Sequence, residues 1–186
     1  MLFSPNFQTA KIHELLFRLD QRITITTNID PIYDNFLHRE TQGNTRIVKF
    51  CDAGAAAFIR NSHNHLIKMH GCVTAPNNII FSQNEYASAR LKYGDFYTAI
   101  GALFLSNTLV FVGSGLSDPD IKLLLENNQI NLPGMPPHYM ISPTKFHTDE
   151  LAALEDSRNL KLLSYSSADN HSELIESFQE LVQRLP

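Results

Sequence analysis

The sequence has too few cysteines for the small domains that disulfide bonds or zinc ions hold together. Its 186 residues include only two, Cys51 and Cys72. A disulfide framework is therefore not expected, and a structural zinc module of four cysteines cannot form within one chain. We predict a cytoplasmic protein without a structural zinc ion.

The sequence also lacks features typical of membrane proteins, secreted proteins and nucleic-acid-binding proteins. No apolar run is long enough to cross a bilayer, and residues 1–16 lack the basic front, apolar centre and cleavage site of a secretory signal. The formal net charge of -4 gives no general attraction to nucleic acid or anionic lipid. We therefore expect neither a nucleic acid nor a membrane among the partners.

The composition is that of an ordinary globular domain, with 43% hydrophobic and 18% charged residues. The length suits one domain over residues 1–186 with a single core. Alternating helical and strand periodicity favours an α/β fold with a layered, mostly parallel sheet. Segment 43–65 gives only a weak hairpin-like pattern. The predicted strands are 23–27, 66–69, 79–81, 108–112, 139–142 and 160–165, and the predicted helices are 12–19, 82–93, 96–105, one opening at 117–120, 148–154 and 174–185.

Polar and small residues follow three of these strands. The segments are Thr27-Asn28-Ile29-Asp30, His70-Gly71 and Gly113-Ser114-Gly115. Because ligands of open α/β sheets bind at the carboxyl ends of the strands, we expect the three segments to face one crevice.

Each segment has a chemical use. The Asn28 amide can hold another amide or a water, and Asp30 can orient that group or stabilise positive charge. The His70 imidazole gains or loses a proton near neutral pH and can act on a hydroxyl or a water. The glycines around Ser114 permit close backbone approach, and the helix that follows presents amide groups to a ribose or phosphate.

Structural interpretations of the same residues stay open. Asn28 and Asp30 can simply cap a turn before Pro31, a histidine before glycine is often structural, and Gly-Ser-Gly is a common connecting turn. His63, His65, His70 and Cys72 match no strong zinc spacing, so we predict no metal site. The aromatic residues Tyr86, Tyr93, Phe96 and Tyr97 are expected to pack rather than to stack on bases.

Together, the three segments resemble the sirtuin superfamily, specifically its bacterial sirtuin-like branch without a zinc module. Thr27-Asn28-Ile29-Asp30 is similar to the nicotinamide-pocket motif of that family, and Lys68-Met69-His70-Gly71 to its catalytic histidine motif. The segment 109–120, LVFVGSGLSDPD, is similar to its ribose-binding strand and loop. Order and spacing agree as well, over roughly residues 10–165.

The resemblance implies a Rossmann-like three-layer sandwich that binds NAD as its substrate, without zinc. It implies catalytic roles for Asn28, Asp30 and His70. It further implies NAD binding by a second set of residues: Thr27, Gly113, Ser114, Gly115 and Ser142.

The chain also departs from the family pattern. The family opens with a strand and a Gly-Ala-Gly-type loop for the pyrophosphate, which nothing before Lys11 supplies. Gly115 stands where many members have a second hydroxyl residue, and Ser142 where many have asparagine. We expect an incomplete sheet, and therefore a fragment, a truncated gene product, or a chain completed in a homo-oligomer or by another polypeptide.

Three functions follow from the resemblance. The first is hydrolysis of NAD, with a role in anti-phage defence. The second is NAD-dependent deacylation of proteins, which the lack of zinc cysteines makes the weaker interpretation. The third is a non-catalytic nucleotide-binding or assembly module, because the glycine-rich segment is missing.

Overall fold

The computed structural model describes residues 7–114 and 117–185. They form two compact units, unit 1 over Met1–Tyr97 and Ile175–Pro186 and unit 2 over Thr98–Leu174. The predicted single domain over 1–186 stays a prediction. The helices are α1 (Lys11–Arg18), α2 (Ile32–Glu40), α3 (Gln83–Lys92), α4 (Gly94–Ser106), α5 (Pro119–Asn131), α6 (Thr148–Arg158) and α7 (Ala168–Arg184), and the strands are β1 (Ile23–Thr26), β2 (Arg46–Lys49), β3 (His65–Lys68), β4 (Val110–Val112), β5 (His138–Ser142) and β6 (Leu160–Ser164).

Unit 1 is built around a parallel sheet in the order β1-β3-β2. The central strand β3 is buried throughout, and its side chains alternate between two covered faces. Leu66 packs with Phe36 and Leu37 of α2 on one face. His65 meets Phe58 on the other, with ring centroids 6.5 Å apart. Phe58 belongs to a 3-10 helix at Ala55–Arg60.

Unit 2 contains a second parallel sheet, in the order β4-β5-β6. Its central strand β5 alternates between buried and half-buried residues, in contrast to β3. Helix α5 begins at Asp118, whose carboxylate accepts hydrogen bonds from the amides of Asp120 and Ile121, both at 3.0 Å. This cap confirms the helix start predicted from Ser117-Asp118-Pro119-Asp120.

The α/β class with parallel strands is confirmed, and most elements lie within one or two residues of their predicted bounds. The capping box of Ser82 and Glu85 starts α3 as expected. The predicted strand 79–81 is wrong, because this segment follows a 3-10 helix at Pro76–Asn78 and pairs with no described strand. Segment 43–65 holds no hairpin: β2 pairs in parallel with β3.

Two further predictions need correction. The continuous apolar run at 108–112 predicts a strand covered on both faces, but β4 lies at the edge of its described sheet and Val110 is largely exposed. The apolar sequence at 96–105 predicts a buried helix, but α4 buries Phe96, Ile100 and Phe104 and leaves Leu105 exposed. Among the described residues, no helix is both long and apolar enough to cross a membrane.

Candidate functional site

Parallel pairing of β1 with β3 brings two of the predicted segments together in unit 1. Thr26, the last residue of β1, lies opposite Lys68, the last residue of β3. The Met69 amide extends the pairing by donating to the Thr26 carbonyl at 3.0 Å. The loop that follows β1 and the histidine that follows β3 therefore leave the sheet at the same edge, as parallel strands require.

Two further hydrogen bonds tie the loop after β1 to the segment around His70. The Val73 amide donates to the Ile29 carbonyl at 2.8 Å. The Lys68 ammonium donates to the Asp30 carbonyl at 2.6 Å. Two successive carbonyls of the loop are thus held by donors from β3 and the turn beyond it. This loop, residues 27–31, is called the β1–α2 loop below.

The Lys68 ammonium is itself fully buried and needs a counter-charge. Asp34, in the first turn of α2, supplies it through Oδ1 at 2.8 Å. The other carboxylate oxygen of Asp34 lies 3.9 Å from the Cys72 thiol. Asp34 is also buried, and the helix N-terminus favours its negative charge. Two buried charges therefore satisfy each other directly beneath the β1–α2 loop.

The side chains of the loop differ in accessibility. Asn28 is exposed, and no described residue hydrogen-bonds its carboxamide, whereas Thr27 and Asp30 are half-buried. Asp30 Oδ1 accepts the Ile32 amide at 3.0 Å, so this carboxylate does cap the turn into α2. The capping role accounts for one oxygen of Asp30. Asn28 remains available to a ligand.

His70 is buried and rests edge-on against Tyr86, with ring centroids 5.1 Å apart and planes at 86°. Its carbonyl accepts the Ile80 amide at 3.2 Å. The next residue, Gly71, has φ of +80°, and a Cβ placed on it would lie 2.0 Å from the Asn78 carbonyl oxygen. Only glycine fits this turn, which holds His70 at the end of β3.

Unit 2 brings together another part of the predicted site. Val112 of β4 lies opposite Ile141 of β5, so Gly113 and Ser142 lie next to each other at the carboxyl ends of the two strands. Gly113 has φ of +66°, which starts the turn that carries Ser114. The Ser142 hydroxyl accepts the Thr144 amide at 3.2 Å. Gly115 lies outside the described residues.

The metal-capable side chains singled out in unit 1 make local contacts with neighbouring residues. His63 is exposed and contacts Asn61, and His65 Nδ1 lies 2.6 Å from the His63 carbonyl oxygen. Burial lowers the pKa of His65, with Arg46 and Arg22 acting in the same direction against that hydrogen bond. Both cysteines are free thiols, and burial together with Asp52 raises the pKa of Cys51.

The aromatic residues pack within unit 1, as predicted. Tyr93 meets Phe50 edge-on at 5.2 Å, and Phe96 lies between Phe58 and Tyr97 at 6.2 and 5.4 Å. Tyr86 has the additional contact with His70 that the sequence did not suggest.

Sequence reasoning missed the ion pair of Lys68 and Asp34. A signal was present: a lysine ends an otherwise apolar β-strand, where an unpaired charge is not tolerated. Its partner was not identifiable, because α2 was not predicted and the two residues are 34 positions apart.

Comparison with known proteins identifies the family of this sequence. Residues 22–163 match the family model described as the SIR2-like domain, and this range includes both strand-end regions. Similar proteins are the NAD(+) hydrolase ThsA of Acinetobacter baumannii (27% identical over 119 residues, 64% of this chain and 24% of that protein) and of Bacillus cereus (26% over 123 residues, 66% and 25%). Defense-associated sirtuin 2 of Bacillus subtilis is 24% identical over 126 residues, 66% of this chain and 12% of that protein.

The chain spans about a quarter or less of the length of these relatives. The family model, in contrast, matches well over half of the chain and includes Asn28, His70 and Ser114. The chain therefore belongs to the SIR2-like domain family.

Proposed function

We propose that this domain hydrolyses NAD at the bond between nicotinamide and ribose, with water as the acceptor. The bond from C1′ of the ribose to the nicotinamide nitrogen breaks, and its electron pair stays on nicotinamide. A water oxygen forms the new bond to C1′ and loses a proton. The products are nicotinamide, ADP-ribose and a proton.

The observation that carries the proposal is the junction of the β1–α2 loop with His70 in unit 1. Two hydrogen bonds, from Val73 and Lys68, join the two segments, and a third, from Met69 to Thr26, lies at the adjoining end of β1. Fixed geometry is what nucleophilic attack by water needs, since orientation contributes several kcal/mol to a barrier. The relatives named NAD(+) hydrolase support the choice of substrate and reaction.

Each residue has a role in the proposed reaction. Asn28 holds the attacking water or the nicotinamide side of the substrate, and Asp30 helps to bind nicotinamide. His70 takes up the proton as the oxygen attacks the ribose. Thr27, Gly113, Ser114, Gly115 and Ser142 bind the remainder of NAD. Positive charge develops on the ribose as nicotinamide leaves, and the carboxylate of Asp30 stabilises it.

Defence against phage by depletion of NAD is the biological role we propose. The name of one relative, Defense-associated sirtuin 2, supports it. The cytoplasmic location, the absence of nucleic-acid and membrane partners, and assembly into a homo-oligomer or with a complementing chain belong to the same proposal.

Product analysis in isotopically labelled water tests the reaction. The protein is incubated with NAD in H2 18O, with and without an acetyl-lysine peptide, and the products are measured by mass spectrometry. We expect equal amounts of nicotinamide and of ADP-ribose carrying one 18O atom, independent of the peptide.

Two outcomes would contradict hydrolysis. Nicotinamide release that requires the peptide and yields an acetylated ADP-ribose would identify a deacylase. NAD binding measured by calorimetry without any product would identify a binding module.

A further inference from the structure

Lys68 occupies a place in unit 1 where a sheet protein ordinarily has an apolar residue. It is the last residue of the central strand β3, and its side chain is 0% exposed. The side chain points to the face on which α2 packs, two residues along β3 from Leu66 of the apolar cluster. An ammonium group there requires an explanation.

The stability of the fold does not explain the buried ammonium group of Lys68. Removing two charges from water costs several kcal/mol for each ion, and apolar residues of similar size in place of a buried ion pair are often neutral or stabilising. Leu66, on the same face of β3, is fully buried in an apolar cluster, which shows that large apolar side chains suit this face. The contacts of the ammonium group therefore point to another role.

We propose that Lys68 is a positioning residue that fixes the β1–α2 loop relative to His70, with Asp34 as its counter-ion. The proposal deepens the proposed function and rests on it for the catalytic consequence. One ammonium group reaches both the Asp30 carbonyl at 2.6 Å and the Asp34 carboxylate at 2.8 Å. Lys68 is also two residues from His70 in the sequence, so a single side chain connects both catalytic segments.

The anchored carbonyl is one that backbone pairing does not reach. Thr26 and Ile29 accept hydrogen bonds from the Met69 and Val73 amides, but the Asp30 carbonyl accepts the side chain of Lys68. Pro31 follows and has no amide hydrogen to restrain the same peptide unit. Without Lys68, the loop keeps its attachment at Ile29 but loses the one at Asp30. The backbone that carries Asn28 and Asp30 then loses one of its two anchors to the His70 segment, while the Ile32 amide still caps the Asp30 carboxylate.

The test removes both charges together, because a single change leaves a buried unpaired charge and risks unfolding. The variant is Lys68→Met with Asp34→Leu. Lys49→Met is the matched control. Lys49 is the last residue of β2 and pairs with Lys68 from the side of β3 that does not carry β1. Each protein is measured by thermal unfolding, by steady-state kinetics of nicotinamide release, and by hydrogen–deuterium exchange of peptides covering residues 27–33.

We expect the double variant to unfold within a few degrees of the wild type. Its kcat falls about tenfold to a hundredfold while KM changes less than about threefold, since misplacement of a reacting group costs rate more than binding. Exchange of the β1–α2 loop amides becomes at least about tenfold faster, as expected for a loop that has lost an anchor. Lys49→Met changes none of these quantities.

A folded double variant with wild-type kcat and unchanged loop exchange would overturn the proposal. If the wild type releases no nicotinamide, the proposed function fails, and loop exchange alone decides whether Lys68 fixes the loop. If the double variant does not fold, Lys68→Met with Asp34→Asn removes the same anchor and retains a polar group beside Cys72, and the same readouts apply.

Discussion

The two sheets in the described part of the chain each have three strands, but their central strands differ in burial. In unit 1, every residue of β3 is buried, including a lysine and a histidine. In unit 2, β5 alternates between buried and half-buried positions and ends in a serine. Chain order differs as well, since β3 lies between two earlier strands whereas β4, β5 and β6 follow in sequence.

The proposed function implies a division of labour between the two units. The cleavage step uses Asn28 and the buried His70 of unit 1. Binding of a ribose or phosphate uses accessible backbone and hydroxyl groups, which the turn at Gly113 and the end of β5 can supply. We therefore expect changes at Asn28 or His70 to reduce the rate of cleavage and changes at Ser142 to weaken binding.

The largest expected difference in stability concerns two glycines with positive φ, Gly71 shortly after β3 and Gly113 directly after β4. Gly71→Ala in unit 1 meets the Asn78 carbonyl at 2.0 Å, so it forces the backbone to move. We expect a loss of about 3–5 kcal/mol in the free energy of unfolding and loss of nicotinamide release. Gly113→Ala in unit 2 meets no atom within 4 Å and should cost only about 1–2 kcal/mol. Denaturant titration measures both, and equal costs would refute the structural difference.

A smaller effect separates rate from binding. Asn28→Ala in unit 1 should lower kcat about tenfold to a hundredfold with little change in KM, because a water or nicotinamide contact that tightens in the transition state is lost. Ser142→Ala in unit 2 should raise KM about two- to tenfold and leave kcat unchanged, because one hydrogen bond to the substrate is lost. Steady-state kinetics of nicotinamide release measures both, with Ser164→Ala at the end of β6 as control. The reverse pattern would contradict the division of labour.

The smallest expected effect is a shared dependence on pH. His65 begins β3 and His138 begins β5, and burial lowers the pKa of both imidazoles below the usual 6.5. Because the unfolded chain binds these protons more readily, stability is fully present above pH 6.5 and declines as the pH falls towards the folded pKa values.

Thermal unfolding between pH 7 and pH 5 measures this dependence. His138→Gln should lose less stability on acidification than the wild type, since protonation of His138 Nδ1 would break its bond to the Leu109 amide. An unchanged pH dependence in this variant would remove His138 from the explanation.

The sequence predicted those parts of the fold that local patterns determine. Ile23 to Thr26 is a β-branched run that reads as a strand in any context, and Ser82 with Glu85 caps α3 through contacts only three residues apart. Strand β2 was missed because its place is set by pairing with β3, nineteen positions away at Arg46↔His65. Ile79 and Ile80 have strand propensity, but this segment joins neither described sheet, and the Ile80 amide donates instead to the His70 carbonyl.

In the candidate site, too, the predictable parts were those that follow from local sequence patterns. Two strands that the sequence indicates clearly pair in parallel, so the loop after β1 and the segment around His70 leave the sheet at the same edge. The hydrogen bond from Lys68 to Asp30, in contrast, depends on a side-chain direction and on the unpredicted helix α2. The hydrogen bond from the Ile32 amide to Asp30 agrees with the turn-capping interpretation of Asp30. The assignment of Ser114 and Ser142 to NAD binding stays a prediction.

The most direct test of the account is the rate of nicotinamide release by His70→Ala beside the control His63→Ala, an exposed histidine seven residues earlier. We expect His70→Ala to be at least about a hundredfold slower than the wild type, because an acid–base group is removed, and His63→Ala to be unchanged. Equal rates in the two variants, with both folded, would contradict it.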